Sequence, residues 1–358
     1  MPLPFSEPAV RNALSSFQDP ETGRSAVQLD QIHEVRIDDG KLSVTLGLTT
    51  WAAPLWDDIR DELGTLLKSR FPGQAVEVRV EQHHRPAEPS GQLGLTAKSV
   101  IAVGAGKGGV GKSSIAAYLA CGLARAGAKV GLMDADVYGP SIPHLFGIHE
   151  MPRLVGENRI LPVEAAGVKV LSMGLLIPPE QAVVWRGPML HKALTQFVQD
   201  TLWGDLDYLV VDMPPGTGDV AISLSQLLDV TGAVVVCTPQ DVALLDATRA
   251  ITMFGNVQIP VLGMVENMSF FLCPTCNARH EIFGSGGAKR RAAEMGIPVL
   301  GEVPLDMQLR ILGDEGRVFA SFDHEPTRAY LEAIPRTLVG NLVRARRSRP
   351  VMPTLPLL

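Results

Sequence analysis

Gly106-Lys107-Gly108-Gly109-Val110-Gly111-Lys112-Ser113 is the stretch that decides the fold. The apolar run Ser99-Val100-Ile101-Ala102-Val103 precedes it, and a small-residue, helix-forming run from Ile115 to Ala126 follows. Strand, glycine-rich loop and helix in that order are the setting of a P-loop. Glycines permit turns that other residues resist, so successive backbone N–H groups can converge on phosphate oxygens at a helix N-terminus. The expected nucleotide-binding set is Gly106, Lys107, Gly108, Gly109, Val110, Gly111, Lys112, Ser113 and Ser114. Within it Lys112 would reach the β- and γ-phosphates and Ser113 would ligate magnesium. The competing reading is a glycine-rich turn with no ligand.

Outward from the loop, apolar strands alternate with helical segments: Val100 to Val103, Val130 to Met133, Val168 to Met173, Tyr208 to Val211, Ala233 to Cys237 and Val261 to Val265. Near-continuous apolar strands separated by crossover helices predict an α/β fold, a parallel sheet with helices on both faces. Ligands of such sheets collect at the carboxyl ends of the strands. Two of those ends carry carboxylates, Asp134-Ala135-Asp136 and the run from Asp212 through Pro214, Pro215, Gly216, Thr217 and Gly218 to Asp219. Asp212 fits the Walker B role of holding magnesium, and Asp136 the role of orienting an attacking water. Without a ligand they would be strand-terminating turn residues. Lys107 is not needed to cradle phosphate within one chain. A cation there can stabilise transition-state charge across an interface, as an arginine finger does, which implies a nucleotide-sandwiched homodimer.

The first 82 residues read as a small α+β unit. A helix is expected from about Ser6 to Phe17, a hairpin through Ile32–Ile37 and Leu42–Leu46 around Asp39-Gly40, a helix from Trp56 to Phe71 and a strand at Val76–Val80. Residues 83–98 lose periodicity and gain Pro86, Pro89, Ser90 and Gly91, the composition of a linker, in which His83 and His84 read as solvated. The ATPase unit then covers 99–341. Residues 342–358, with Arg344, Arg346, Arg347 and Arg349 before Pro350, Pro353 and Pro356, read as a disordered basic tail. The first eight residues hold three prolines and no apolar core of a signal peptide, and no apolar stretch is long enough to span a bilayer. A cytoplasmic protein is expected, without a membrane partner. The net charge of −6 over 358 residues gives no reason to expect nucleic acid.

Of four cysteines, Cys121 and Cys237 read as buried core residues, whereas Cys273 and Cys276 form a C-x-x-C after a strand. Soft sulfur donors suit iron–sulfur clusters, zinc or copper(I). A 4Fe-4S cluster or a tetrahedral zinc needs about four ligands, so one chain supplies half the set and two subunits about a two-fold axis would complete it. A redox dithiol, or half of a zinc knuckle with His280, fits the same spacing.

The ordered motifs, from the loop through Asp134-Ala135-Asp136-Val137-Tyr138-Gly139-Pro140-Ser141, Trp185-Arg186-Gly187-Pro188-Met189, Asp212 to Asp219, Glu266-Asn267-Met268-Ser269, Cys273-Pro274-Thr275-Cys276 and Phe283-Gly284 to Pro298–Asp306, resemble the Mrp/ApbC family. These are iron–sulfur cluster carrier ATPases of the deviant Walker A group, which also holds MinD, ParA and nitrogenase iron protein. The segment before the linker resembles the MIP18-like domain often fused to bacterial members. The resemblance implies a P-loop NTPase that uses ATP and magnesium and passes a 4Fe-4S cluster, bound across a homodimer by Cys273 and Cys276, to apo iron–sulfur recipient proteins. By the same resemblance Lys107 acts on the partner subunit's nucleotide, Asp136 is the switch carboxylate and Asn267 contacts the adenine base. As a plain residue Asn267 could equally be part of a turn. MIP18-like domains commonly carry a cysteine where this chain has Thr49-Thr50-Trp51-Ala52-Ala53-Pro54, so partner binding is expected of the N-terminal domain rather than thiol chemistry. After Asp314, Glu315-Gly316-Arg317-Val318 stands where relatives often have a proline. The rivals are a spatial-positioning or partition ATPase acting on membrane or DNA, and a zinc-stabilised scaffold with a regulatory nucleotide site.

Overall fold

The computed structural model describes residues 5–38, 40–137, 139–156, 159–175, 187–216, 218–276 and 278–348. Asp39, Tyr138, Trp185, Arg186, Thr217, Asn277, Arg349, Pro350, Pro353 and Pro356 lie outside them. The chain forms two compact units, Met1–Arg85 with Val339–Leu358, and Pro86–Leu338.

In the first unit α1 (Glu7–Leu14) leads to β1 (Ile32–Asp38) and β2 (Lys41–Leu48), then α2 (Trp56–Arg70) and β3 (Ala75–Gln82). The sheet order is β1-β2-β3, β2 running antiparallel to β1 and parallel to β3. Ile59, Leu63 and Leu67 recur every fourth residue, so one face of α2 is apolar, and all three are buried. The helix expected to reach Phe17 stops at Leu14, because the hydroxyls of Ser15 and Ser16 donate to the carbonyls of Asn12 (2.6 Å) and Ala13 (2.9 Å). Serine hydroxyls near their own backbone compete with helix continuation. The last turns of α10 (Arg328–Arg347) belong to this unit, where the sequence reading expected a tail. Arg347 donates to both carboxylate oxygens of Glu62 (3.0 and 3.2 Å) and to the Gln18 carbonyl (3.3 Å), while the Arg346 guanidinium lies 4.2 Å over the Trp51 ring.

The second unit runs β4 (Ala97–Gly104), α3 (Lys112–Arg125), β5 (Val130–Asp134), α4 (Ile142–Leu145), the antiparallel pair β6 (Arg153–Val155) and β7 (Arg159–Leu161), β8 (Val163–Ala165), β9 (Val168–Ser172), α5 (Gly187–Gln199) and β10 (Leu206–Asp212). It continues with α6 (Gly218–Leu227), β11 (Gly232–Cys237), α7 (Asp241–Asn256), β12 (Val261–Glu266), the short pair β13 (Phe271–Leu272) and β14 (Arg279–His280), α8 (Gly287–Glu294), β15 (Val299–Glu302), α9 (Met307–Asp314) and the start of α10. The main sheet has the order β15-β12-β11-β4-β10-β5-β9-β8, parallel except for β8. All six expected strands are in it. The two edges, β15 and β8, are too short to carry a pattern. β10 inserts between β4 and β5 while β11 flanks β4 on its other side, so a topological switch point lies at the carboxyl end of β4. The P-loop leaves the sheet there.

The expected linker is partly folded. Ser90 and Leu95 exchange two backbone hydrogen bonds of 3.0 Å, the Gly91 N–H donates to Asp229 (2.8 Å), and Leu95 is buried in the core of the second unit. Proline and glycine mark this stretch as a loop without revealing that the loop is pinned. No helix among the described residues is long and apolar enough to cross a membrane.

Leu63 is fully buried in the first unit. Leu63→Ala should lower stability by about 2–5 kcal/mol in urea titrations followed by tryptophan fluorescence. A loss below about 1 kcal/mol would mean that this face of α2 is not a core.

Candidate functional site

The loop between β4 and α3 turns on Gly109 (φ +81°) and Gly111 (φ +80°), both in the left-handed region open to glycine. Gly106 is needed for a different reason: a Cβ there would stand 1.9 Å from the Asp246 backbone oxygen. At Gly108 and Gly109 an added Cβ meets nothing within 4 Å, so the crest of the loop faces open space, as a phosphate cradle must. Gly111 is constrained by a neighbour as well as by its φ, since a Cβ would fall 2.1 Å from Nδ2 of Asn267. That amide donates to the Val110 carbonyl at 2.9 Å.

Lys112 opens α3 and is buried. Its ammonium donates to Asp212 Oδ1 (2.5 Å) and Ser113 Oγ (3.1 Å) and lies 3.9 Å from Asp136 Oδ2. Asp212 ends β10, in register with Val103 of β4 and Asp134 of β5, so neighbouring strands deliver loop and carboxylates to one place. Asp134, Asp136 and Asp212 together face one buried cation. Burial, then the charge of Asp212, pushes Asp134 up to about 7. Burial also raises Asp212, against the pull of Lys112. The second oxygen of Asp212 is buried without a hydrogen-bond partner among the described residues. An orphaned carboxylate oxygen beside a serine hydroxyl, in an electronegative pocket, fits a hard cation such as magnesium.

Sequence reasoning gave Asp134 no role. It accepts from the N–H groups of Asp136 (3.1 Å) and Ile142 (3.3 Å) and from Ser172 Oγ (3.0 Å), and so ties the loop after β5 to β9. Asp136 is left nearer Lys112 and, among the described residues, accepts a weak bond from the Gly139 N–H (3.3 Å). Lys107 is half-buried and forms no hydrogen bond or ion pair with another described residue. Beside the loop, a cavity of ≈ 590 Å³ is lined by Gly111, Ser114, Tyr118, Asn267, Phe271 and Leu305 among others. Its lining combines apolar side chains with the Asn267 amide and the charged Asp306, Arg310 and Asp314.

Past Asn267 the chain turns sharply. Met268 has φ +53°, and the buried Glu266 carboxylate accepts from Ser269 Oγ (2.5 Å) and from the Ala288 N–H (2.9 Å). Phe270 then enters the core against Tyr330, and β13 pairs with β14. Arg279 anchors the root of this hairpin: its guanidinium sits 3.8 Å over the Phe270 ring and bonds Glu302 at 3.2 Å. Cys273 and Cys276 occupy the tip, half-buried and exposed respectively. The backbone N–H groups of Thr275 and Cys276, followed by the Cys276 side chain, lower the Cys273 thiol below its ordinary range. Among the described residues no group of three or more His, Cys, Asp or Glu side chains is arranged to hold a metal, so His280 does not complete a site. Cys121 and Cys237 are buried, and burial pushes each up to about 12.

Residues 96–339 match the family model described as NUBPL iron-transfer P-loop NTPase, and residues 7–80 match that of an iron–sulfur cluster assembly protein. The chain belongs to this family of iron-transfer P-loop NTPases. It is 47% identical to the iron–sulfur cluster carrier protein of Deinococcus radiodurans over 93% of this chain and 95% of that one. It is 42% identical to the carrier protein of Escherichia coli K12 over 86% and 84% of the two chains. A nucleotide-binding protein from Archaeoglobus fulgidus, solved in complex with ADP, superposes with a TM-score of 0.57 at 40% identity, covering 64% of this chain and 90% of that one. Family and P-loop fold therefore agree with the reading of the motifs.

The four thiols should separate in reactivity. With iodoacetamide under reducing, metal-free conditions, Cys273 should alkylate first and at a lower pH than an ordinary thiol, and Cys121 and Cys237 only after denaturation. Peptide mass spectrometry reads the order. Labelling of Cys121 as fast as Cys273 in native protein would contradict it.

Proposed function

We propose that the chain is a cytoplasmic, homodimeric ATPase of slow turnover that holds a 4Fe-4S cluster between two copies through Cys273 and Cys276 and delivers it to apo iron–sulfur proteins. The observation that carries this reading is a bare pair of thiols at an exposed hairpin tip, on the segment whose root, Asn267, bonds the P-loop. Two thiolates per chain leave a four-ligand cluster half-held, and a second copy makes up the number. The relatives named as iron–sulfur cluster carriers support the cargo. Lys107, with no partner among the described residues, is available to a second subunit's nucleotide.

ATP would lie over Gly106–Ser114 with its base in the cavity beside Asn267. Ser113 and Asp212 would hold magnesium, which supplies positive charge at the β- and γ-phosphate oxygens. Lys112, now bonded to Asp212, would turn to the phosphates, and the N–H groups of Gly108 to Lys112 would bind their oxygens. Asp136 would orient the attacking water. A shift of the loop would pull on Asn267 through the Val110 carbonyl and reach the hairpin along Met268–Leu272. A positioning ATPase acting on a membrane or DNA would want free basic side chains at the C-terminal end, but Arg346 and Arg347 are engaged with Trp51 and Glu62.

Anaerobic reconstitution with iron and sulfide should give a brown dimer containing about four iron atoms per two chains. Cys273→Ala/Cys276→Ala should give neither colour nor bound iron. A chromophore that survives in the double variant, or one held by a monomer, would remove the bridged cluster.

Lys112→Ala should lower ATP turnover by about a hundredfold or more. Lys107→Ala should lower it by on the order of tenfold or more while nucleotide still binds. Unchanged turnover in Lys107→Ala would rule out action across an interface.

A further inference from the structure

The sheet of the first unit brings together two histidines that are far apart in sequence. In β1, Ile32 pairs with Leu46 and Glu34 with Thr45, which leaves His33 as the extra residue of a bulge. Bulges re-aim a side chain out of the strand's alternation. His83 follows β3, on the other side of β2, and its N–H bonds the Leu48 carbonyl at 2.8 Å. The two rings meet across β2, His33 Nε2 standing 3.2 Å from His83 Nδ1. Gly47 permits the meeting: a Cβ there would lie 2.3 Å from His33 Nε2 and 3.0 Å from His83 Cβ.

We propose that His33 and His83 are the two protein ligands of a site for a first-row divalent metal ion, zinc foremost, with water completing its coordination. Zinc–nitrogen bonds of ~2.0–2.1 Å at tetrahedral angles set two ligand nitrogens about 3.3 Å apart, close to the separation found. Imidazole nitrogens are the donors that zinc, copper(II) and nickel(II) prefer. Behind the first ligand, Glu81 Oε2 lies 3.6 Å from His33 Nδ1, where a carboxylate favours the proton on that nitrogen and leaves Nε2 free to coordinate. In the metal-free protein the two facing nitrogens hydrogen-bond to one another. On binding, the metal takes the place of the hydrogen between them, and the ring that carried it holds it on its other nitrogen instead, so no proton is released.

Two protein ligands make a weaker and more exchangeable site than a closed four-ligand one. The site is separate in the chain from the cysteine hairpin and does not depend on what that hairpin carries. The sequence gives little sign of it, because His83-His84 looks like a solvated pair and His33 is fifty residues away. His84 remains exposed.

Zinc chloride titrated calorimetrically into the full chain carrying Cys273→Ser/Cys276→Ser, where the thiols cannot compete, tests the site. One zinc per chain is expected. His33→Gln and His83→Gln should each weaken binding by about tenfold or more, and His84→Gln should leave it unchanged. Gly47→Ala should weaken it as well, because the new methyl displaces the His33 ring while both ligands remain. Thermal unfolding of each variant shows whether the fold is kept. Absence of zinc binding, equal binding in a His33→Gln/His83→Gln double variant, or loss confined to His84→Gln would overturn the proposal.

Discussion

The ion pair between Lys112 and Asp212 is the contact on which the rest of the second unit turns. An ammonium group taken out of water is costly unless it is paired, and removing its partner leaves a buried charge uncompensated. The sheet supplies that partner by topology: β10 lies directly beside β4, so the aspartate that ends one strand stands next to the loop that leaves the other. β5, next along, adds Asp134 and Asp136. The pocket then holds more carboxylate than cation; burial, and after it the charge of Asp212, raises Asp134 to about 7, and an oxygen of Asp212 has no donor among the described residues. Such a pocket carries negative charge that Lys112 does not balance, and a divalent cation would offset it.

The same loop is fastened to the other chemical feature of the unit. Asn267 reaches back to Val110 and occupies the space a side chain at Gly111 would need, so loop and amide are fitted to one another. Six residues on is Cys273. Between them Met268 is left-handed, and Ser269 donates back to the buried Glu266 just before Asn267, so the turn is held from both sides. The hairpin is therefore held at its root, where Phe270, Arg279 and Glu302 pack, while Cys276 near its tip is exposed. Burial alone would raise Glu302, but Lys289 and Arg279 outweigh it and hold the carboxylate low, so the anchor stays charged. On the function proposed above, that combination would carry a movement at the nucleotide to the thiols without burying them.

What could be read from the sequence was local. The glycine spacing of the loop, the apolar runs of the central strands and the C-x-x-C each lie within a few consecutive residues and depend on backbone chemistry at those positions. Features set by distant partners could not be read in the same way. The division of labour between Asp134 and Asp136 depends on Ser172, and the pinning of the stretch before β4 depends on Asp229. Arg346 and Arg347 have the composition of a tail, but their helix ends beside Trp51 and Glu62. The early stop of α1 was local and still missed, since two serines in a row at a helix end look polar before they look like caps.

The four cysteines show how environment divides one residue type into two chemistries. Cys121 and Cys237 lie in the core, where a thiolate would be desolvated, and burial holds their protons in place. Cys273 sits in a two-residue turn whose N–H groups point at its sulfur and favour the anion. Metal binding needs the anion, so Cys273 is prepared for it and the two buried thiols are not. A pair is also a limit, because a cluster with two ligands from one chain must find the others elsewhere. On the homodimeric reading proposed above those others would belong to a second copy, and holding or releasing a cluster would then turn on how two copies sit together.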